Sequence, residues 1–292
     1  MIYRVRHRTI YDYQDPVSVS HHLLRLTPRM LPCQLCRTAR ISILPSPSAT
    51  VTNFDYFGNF QTFFTLQEPH SSLALEATSE LEVFSPMVPD FSVSPPWETV
   101  VESLVNDHSE AGLDAYQFVF ASQRVGISRE LAEYAREVFP AGRPLLEAVR
   151  DLMQKINRDF SFDTKATEVT TPVQVFFEKR RGVCQDFAHI MISGLRGIGL
   201  PAAYVSGYLR SAPRTDATRL QGSEAMHAWV LLWCGAAAGW IGLDPTNAIL
   251  ASEDHVTLAI GRDYTDVAPM DGVILGSGGQ RIDGSVAVTP AA

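Results

Sequence analysis

Cys184 is the residue in this chain best placed to act as a nucleophile. It lies in Arg180-Arg181-Gly182-Val183-Cys184-Gln185-Asp186-Phe187-Ala188-His189, where a basic, glycine-containing turn runs into an apolar stretch. Apolar residues at Cys184, Phe187, Ala188, Met191, Leu195 and Ile198 have helical spacing, and Gly197, Gly199 and Pro201 bring that helix to an end. The first N–H groups of a helix lack internal partners, and that end carries partial positive charge. A thiolate is stabilised there, and the same N–H groups can bind the oxyanion of a tetrahedral intermediate. Such a sulfur attacks carbonyl carbons, provided that a base stands beside it.

A free cysteine taken alone is more often a small buried hydrophobe, so the base is decisive. His227, in Met226-His227-Ala228-Trp229-Val230, and Asp244, in Trp240-Ile241-Gly242-Leu243-Asp244-Pro245-Thr246-Asn247, are the candidates. Residues 227–233 and 239–243 read as two strands joined by the small-residue turn 234–238. If Trp233 faces Ala238 in an antiparallel hairpin, His227 faces Asp244, and both project from one side of the sheet. The carboxylate then accepts the imidazole Nδ1–H and leaves Nε2 to take the thiol proton. A slip of one residue would part them onto opposite faces. The plain alternative is a core histidine beside a turn aspartate.

Several further motifs fall in order: Gly182-Val183-Cys184-Gln185-Asp186-Phe187-Ala188, Gly199-Leu200-Pro201-Ala202-Ala203-Tyr204-Val205-Ser206-Gly207-Tyr208, His227-Ala228-Trp229, Gly239-Trp240 and Asp244-Pro245-Thr246-Asn247. Together they resemble the bacterial transglutaminase-like cysteine enzymes, a papain-like superfamily of transglutaminases, peptidases and amidases. The motifs cover residues 160–247. The remainder is similar to the subgroup with an N-terminal β-rich domain and a Gly261-Arg262-Asp263-Tyr264 segment near the end. The resemblance implies Cys184 as nucleophile, His227 as base and acid, and Asp244 as orienter, with a peptide or protein amide as substrate. The thiol chemistry needs no metal and no cofactor. The expected activity is amide hydrolysis of the cysteine-protease type. Protein-glutamine transamidation, hydrolysis of a small amide, and non-catalytic peptide binding are the alternatives. No tryptophan shortly upstream of Cys184 matches the oxyanion-side residue of animal transglutaminases, which leaves a side-chain oxyanion donor unassigned.

The elements that must position these residues predict an α+β protein. Up to about residue 90 the chain alternates, as in Tyr3, Val5, His7, Thr9 and Tyr11, with turns at Gln14-Asp15-Pro16, Pro45-Ser46-Pro47 and Phe57-Gly58-Asn59. This spacing suggests an N-terminal β-sandwich over residues 1–90, followed by a linker near 85–96. A catalytic domain over 91–292 then packs helices on an antiparallel sheet. Helical periodicity appears at Val100, Val101, Leu104 and Val105, and after Ser128, Pro144 and Thr171-Pro172. Strands return over 203–209, 256–260 and 286–288. Residues 276–279 form a glycine-rich turn without the features of a phosphate loop.

Residues placed to support the three from behind are Gln185, Asp186, His189, Trp229 and Trp240. Asp186 suits the helix dipole or an arginine partner. His189, five residues past Cys184, is angularly displaced and reads as structural. Trp229 and Trp240 read as core or cleft wall. Arg180 and Arg181 are surface charges or favour the thiolate. The pairs Cys33/Cys36 and His21/His22 lack the further ligands of a metal site. A chain of 292 residues with a formal net charge of −8 does not suit nucleic acid. Apolar runs fall short of a membrane span. Four cysteines make no disulfide framework in a chain of this size. The expected location is the cytoplasm, and the sequence is silent on oligomeric state.

Overall fold

The computed structural model describes residues 1–87, 90–210, 226–276 and 278–291. Val88 and Pro89 of the expected linker, and Ser277 of the expected turn, lie outside the described residues. The chain begins with six strands: β1 Ile2–Val17, β2 Val19–Leu24, β3 Gln34–Leu44, β4 Ala49–Phe54, β5 Phe60–Leu66 and β6 His70–Val83. Helices α1 Trp97–Asn106, α2 Glu110–Tyr116, α3 Arg129–Arg136 and α4 Leu145–Asp159 follow. Then come β7 Ser161–Phe162, α5 Val173–Lys179, β8 Arg181–Gly182 and α6 Cys184–Gly197. The remainder is β9 Ala202–Leu209, β10 Met226–Trp233, β11 Trp240–Asp244, β12 Ile249–Leu250, β13 His255–Gly261, α7 Tyr264–Val267, β14 Met270–Leu275 and β15 Gln280–Pro290. The architecture is α+β, as expected. Among the described residues, no helix is long and apolar enough to cross a membrane.

Alternation builds the N-terminal sheets. Tyr3, Val5 and His7 are buried while Arg4, Arg6 and Arg8 face out. The strand orders are β15-β1-β6-β3 and β14-β2-β5-β4, and both sheets contribute to one apolar core that includes Tyr3, Leu24, Phe64, Leu73, Leu81 and Val288. The sequence assigns residues 91–292 to one catalytic domain. Instead β14 pairs with β2, and β15 runs alongside β1 from Tyr3↔Pro290 to Tyr13↔Gln280. These last strands cover edges of β1 and β2 that would otherwise present unpaired backbone.

The third sheet, β12-β11-β10-β9-β13, carries the helices. Ala228, Val230 and Leu232 of β10 and Ile241 and Leu243 of β11 join α6 residues Phe187, Ala188, Met191, Ile192 and Leu195 in a second core. The expected helices form, with local differences at their starts. Pro144 is the residue before α4 rather than its first, and the Ser128 side chain makes no capping bond to α3.

The two parts are tied along β13, an edge strand of its sheet. Gln34 Nε2 donates to Thr257 O at 2.7 Å, and Thr257 N donates to Gln34 Oε1 at 2.8 Å. Asn59 makes the same double bond to Ile260, 2.8 Å each way. Side-chain amides of the N-terminal part thus satisfy the backbone of an edge strand in the catalytic sheet. Tyr208, Val256 and Leu258 extend the N-terminal core into that sheet.

Candidate active site

Cys184 is the first residue of α6, as its sequence context predicts. The turn before it is held by Asp186, whose Oδ2 accepts from Val183 N at 2.8 Å and from Thr167 Oγ1 at 2.6 Å. Asp186 therefore serves the helix start, with no arginine partner among the described residues; its burial raises its pKa against those two bonds. Gly182 is required by this packing. A Cβ there would stand 2.4 Å from Asp186 Oδ2 and 2.7 Å from the Phe176 ring. Gln185 is pinned by its Nε2 to Val169 O at 2.9 Å. Val183 O accepts from the amides of Asp186 and Phe187. The amides of Cys184 and Gln185 have no partner among the described residues, so two N–H groups remain beside the sulfur.

The hairpin that carries His227 and Asp244 forms with a register two residues away from the one expected. Trp233 faces Trp240 and Val230 faces Leu243. The turn spans Cys234 to Gly239, closed by Cys234 N donating to Gly239 O at 2.8 Å, with Gly235 and Gly239 at φ 91° and 66°. An even shift preserves the face of every side chain. His227 and Asp244 therefore still share a side, as diagonal rather than facing neighbours, and His227 Nε2 lies 2.9 Å from Asp244 Oδ2. Both side chains are fully buried.

The ring is turned over relative to the sequence expectation. Nε2, not Nδ1, binds the carboxylate, which leaves Nδ1 for the thiol. No hydrogen bond reaches Nδ1 among the described residues, and Cys184 is one of the groups that raise the pKa of this ring. Cys184 is half-buried, and its Sγ stands 3.9 Å from the carbonyl oxygen of Met226, the residue before His227. Burial opposes charge on His227, but Asp244, as charge and acceptor, and then Cys184 push its pKa up to about 10. Burial also opposes ionisation of Asp244. The His227 charge, with bonds from His227 and His255, nonetheless holds it well below the usual carboxylate range.

Asp244 has more partners than its motif reveals. Oδ1 accepts from Thr246 N at 3.0 Å and Asn247 N at 3.2 Å, as the chain turns back through Pro245. Oδ2 also accepts from Asn247 Nδ2 at 2.8 Å and from His255 Nε2 at 3.3 Å. The Asp-Pro-Thr-Asn motif signals the turn donors, whereas nothing local marks His255. His227, Asp244 and His255 place three potential ligand atoms within 4.8 Å of one another. Both imidazoles here converge on one carboxylate oxygen through Nε2, and the set reads as a hydrogen-bonded cluster.

The other expected residues take structural places. His189 Nε2 accepts from Tyr264 N at 3.2 Å and so holds the Gly261–Tyr264 segment. Trp229 lies beside His227, ring centroids 6.1 Å apart, and meets His255 edge-on at 5.2 Å. Its ring crosses β9 at Gly207, where a Cβ would lie 2.5 Å from it. Trp240 packs against Trp233 and Phe118. Arg180 stacks over Phe177 and Phe160, and Arg181 pairs with Asp163 at 2.8 Å. All four cysteines are free thiols. A cavity of about 660 Å³ lies between the N-terminal sheets and the catalytic sheet; Trp229, Trp240 and His255 line it, and Cys184 does not.

Residues 3–82 match the profile of the bacterial transglutaminase-like N-terminal region, and residues 132–245 match that of the transglutaminase-like superfamily. An uncharacterized protein of Mycobacterium tuberculosis is 38% identical over 298 residues, 99% of this chain and 92% of its own length. One from Mycobacterium leprae is 32% identical, with 98% of each chain covered. The chain belongs to the transglutaminase-like superfamily, in the group with the bacterial N-terminal region. A structure from Cytophaga hutchinsonii, described as a "putative cysteine protease", shares the fold at 18% identity and a TM-score of 0.75, covering 100% of this chain and 92% of its own. A Pseudomonas aeruginosa protein-glutamine gamma-glutamyltransferase is 32% identical over 127 residues, 42% of this chain and 18% of that protein.

Proposed function

We propose that this protein is a thiol-dependent amide hydrolase of the cysteine-protease type, with Cys184 as nucleophile, His227 as base and acid, and Asp244 as orienter. The observation that carries this reading is an imidazole bound to Asp244 through Nε2, with Nδ1 left without a hydrogen bond among the described residues, while the Cys184 thiol at the start of α6 lies against the residue just before His227. The buried carboxylate of Asp244 favours the proton on His227, so the imidazole takes the thiol proton as sulfur attacks. Sulfur attacks the amide carbonyl, and the amides of Cys184 and Gln185 receive the oxyanion. The proton on His227 Nδ1 passes to the departing amine, leaving a thioester. Water then gives up a proton to Nδ1, attacks the thioester and restores the thiol. An amine in place of water would give transamidation, a second reading favoured by the similarity to the Pseudomonas aeruginosa transferase.

The substrate class is a peptide or protein amide. Four free thiols suit a reducing compartment, and the proposed location is the cytoplasm. The test is a trapping experiment: incubate the protein with a mixed peptide pool and an amine, and look by mass spectrometry for a thioester at Cys184 and for the species that leaves. Cys184→Ala should abolish both the adduct and turnover while the fold persists. Full turnover by that variant would refute the assignment.

A further inference from the structure

We propose that His255 is a positioning residue for the reaction, a second imidazole that fixes the carboxylate of Asp244, and that the N-terminal part of the chain serves catalysis by holding the strand that carries it. The proposal rests on the roles given above to Cys184, His227 and Asp244. Ser252 N donates to His255 Nδ1 at 3.2 Å, so Nδ1 accepts and the ring proton resides on Nε2. That proton is donated to Asp244 Oδ2 at 3.3 Å, the same oxygen that receives His227 Nε2 at 2.9 Å. Both nitrogens of His255 are thereby satisfied by one proton, and its side chain is 2% exposed. A carboxylate held by a single imidazole can rotate about its Cβ–Cγ bond. Asp244 cannot, because its two oxygens accept five bonds from four residues on two sides.

The direction of approach matters. Thr246 and Asn247 belong to the turn just after Asp244, whereas His255 comes from β13, with β9 and β10 lying between it and β11 in the sheet. Its ring is braced edge-on by Trp229, which Gly207 allows to cross β9. The height of β13 is set from outside by the Gln34 and Asn59 amide clamps and by Tyr3, whose hydroxyl donates to Asp254 Oδ1 at 2.9 Å, one residue before His255. The N-terminal sheets thus reach the carboxylate of Asp244 through hydrogen bonds to β13 and through His255, which that strand carries.

Two substitutions separate positioning from mere support. The Asn side chain reproduces Nδ1 but not Nε2, so His255→Asn keeps the acceptor for Ser252 and loses the donor to Asp244. The Gln side chain reaches the Nε2 position, so His255→Gln keeps the donor and loses the Ser252 bond. Positioning predicts that His255→Asn lowers kcat about 10- to 100-fold, the effect of one hydrogen bond to a buried charge, with KM within about twofold. His255→Gln should recover most of kcat. The rate of Cys184 alkylation by iodoacetamide at pH 7 should follow the same order. That readout needs no amide, so it still tests His255 if the wild type hydrolyses none and the functional reading fails. Equal rates in the two variants, or a faster Asn variant, would overturn the proposal. If neither variant folds, imidazole ¹⁵N NMR of the wild-type chain decides it. The expected signal is an Nε2–H tautomer at His255 with a hydrogen-bonded proton, and an Nδ1–H tautomer would overturn it.

Discussion

Replacing Asp244 by Asn exchanges a single atom and removes the charge on which His227 depends. In the wild type, His227 Nε2, His255 Nε2 and Asn247 Nδ2 all donate to Oδ2, and two backbone amides donate to Oδ1. Turned one way, the new NH₂ meets the two backbone donors of Thr246 and Asn247; turned the other way, it meets His227 and His255, which can accept from it only by moving their ring proton to Nδ1. The His227 pKa is raised from 6.5 to about 10, chiefly by Asp244 acting against burial. A shift of that size corresponds to roughly 5 kcal/mol, of which Cys184 supplies part. The loss in kcat should therefore be about 10²- to 10⁴-fold. The sign of the pH effect follows from the same balance. In the wild type the imidazolium is present below about 10 and lost above it, so kcat should carry an alkaline limb near that value. Without the carboxylate, burial dominates, and burial lowers the pKa of an imidazole. The limb should then move to the acid side of 6.5. The assay is kcat against pH from 5 to 11 on any amide the wild type hydrolyses, with iodoacetamide labelling of Cys184 over the same range. An Asn variant with wild-type kcat and an unmoved alkaline limb would refute the role given to Asp244.

Other consequences can be checked by stability alone. Gly182→Ala drives a methyl group against Asp186 and Phe176 at 2.4 and 2.7 Å, and should cost about 1–3 kcal/mol in denaturant unfolding; an unchanged midpoint would show that the turn before Cys184 yields easily. His22 is buried, stacked on Phe64, with neither ring nitrogen partnered among the described residues. His22→Leu removes two unsatisfied polar atoms and should raise stability by about 1 kcal/mol, and a lower midpoint would mean that those nitrogens are paired in solution. In the same direction, burial has pushed the His22 pKa down to about 4. A group with a lowered folded value keeps its neutral form until the pH falls through that value, so acid should destabilise the wild type more than the Leu variant as the pH drops from about 6.5 to 4. Parallel acid-unfolding curves would sink that expectation.

The sequence by itself determined the parts that depend on neighbours in the chain. The start of α6 at Cys184 follows from a glycine turn, an acidic residue two places after the cysteine, and apolar spacing of three and four. The common face of His227 and Asp244 follows from the two-residue period of strands, which is why a register two residues off the expected one left the pair together. The turn donors of Asp244 are implicit in Asp-Pro-Thr-Asn. Tertiary structure decided the rest. Which nitrogen of His227 meets the carboxylate depends on a side-chain rotation that spacing does not encode. The employment of Arg180 on Phe160 and Phe177, and of His189 on Tyr264, was settled by packing between elements. The pairing of β14 and β15 with the first two strands joins residues more than 240 apart, where no local pattern names a partner. His255 is the clearest case. It is one of eight histidines, with no motif to single it out, and it meets Asp244 only because a sheet edge clamped from the N-terminal side brings the two together.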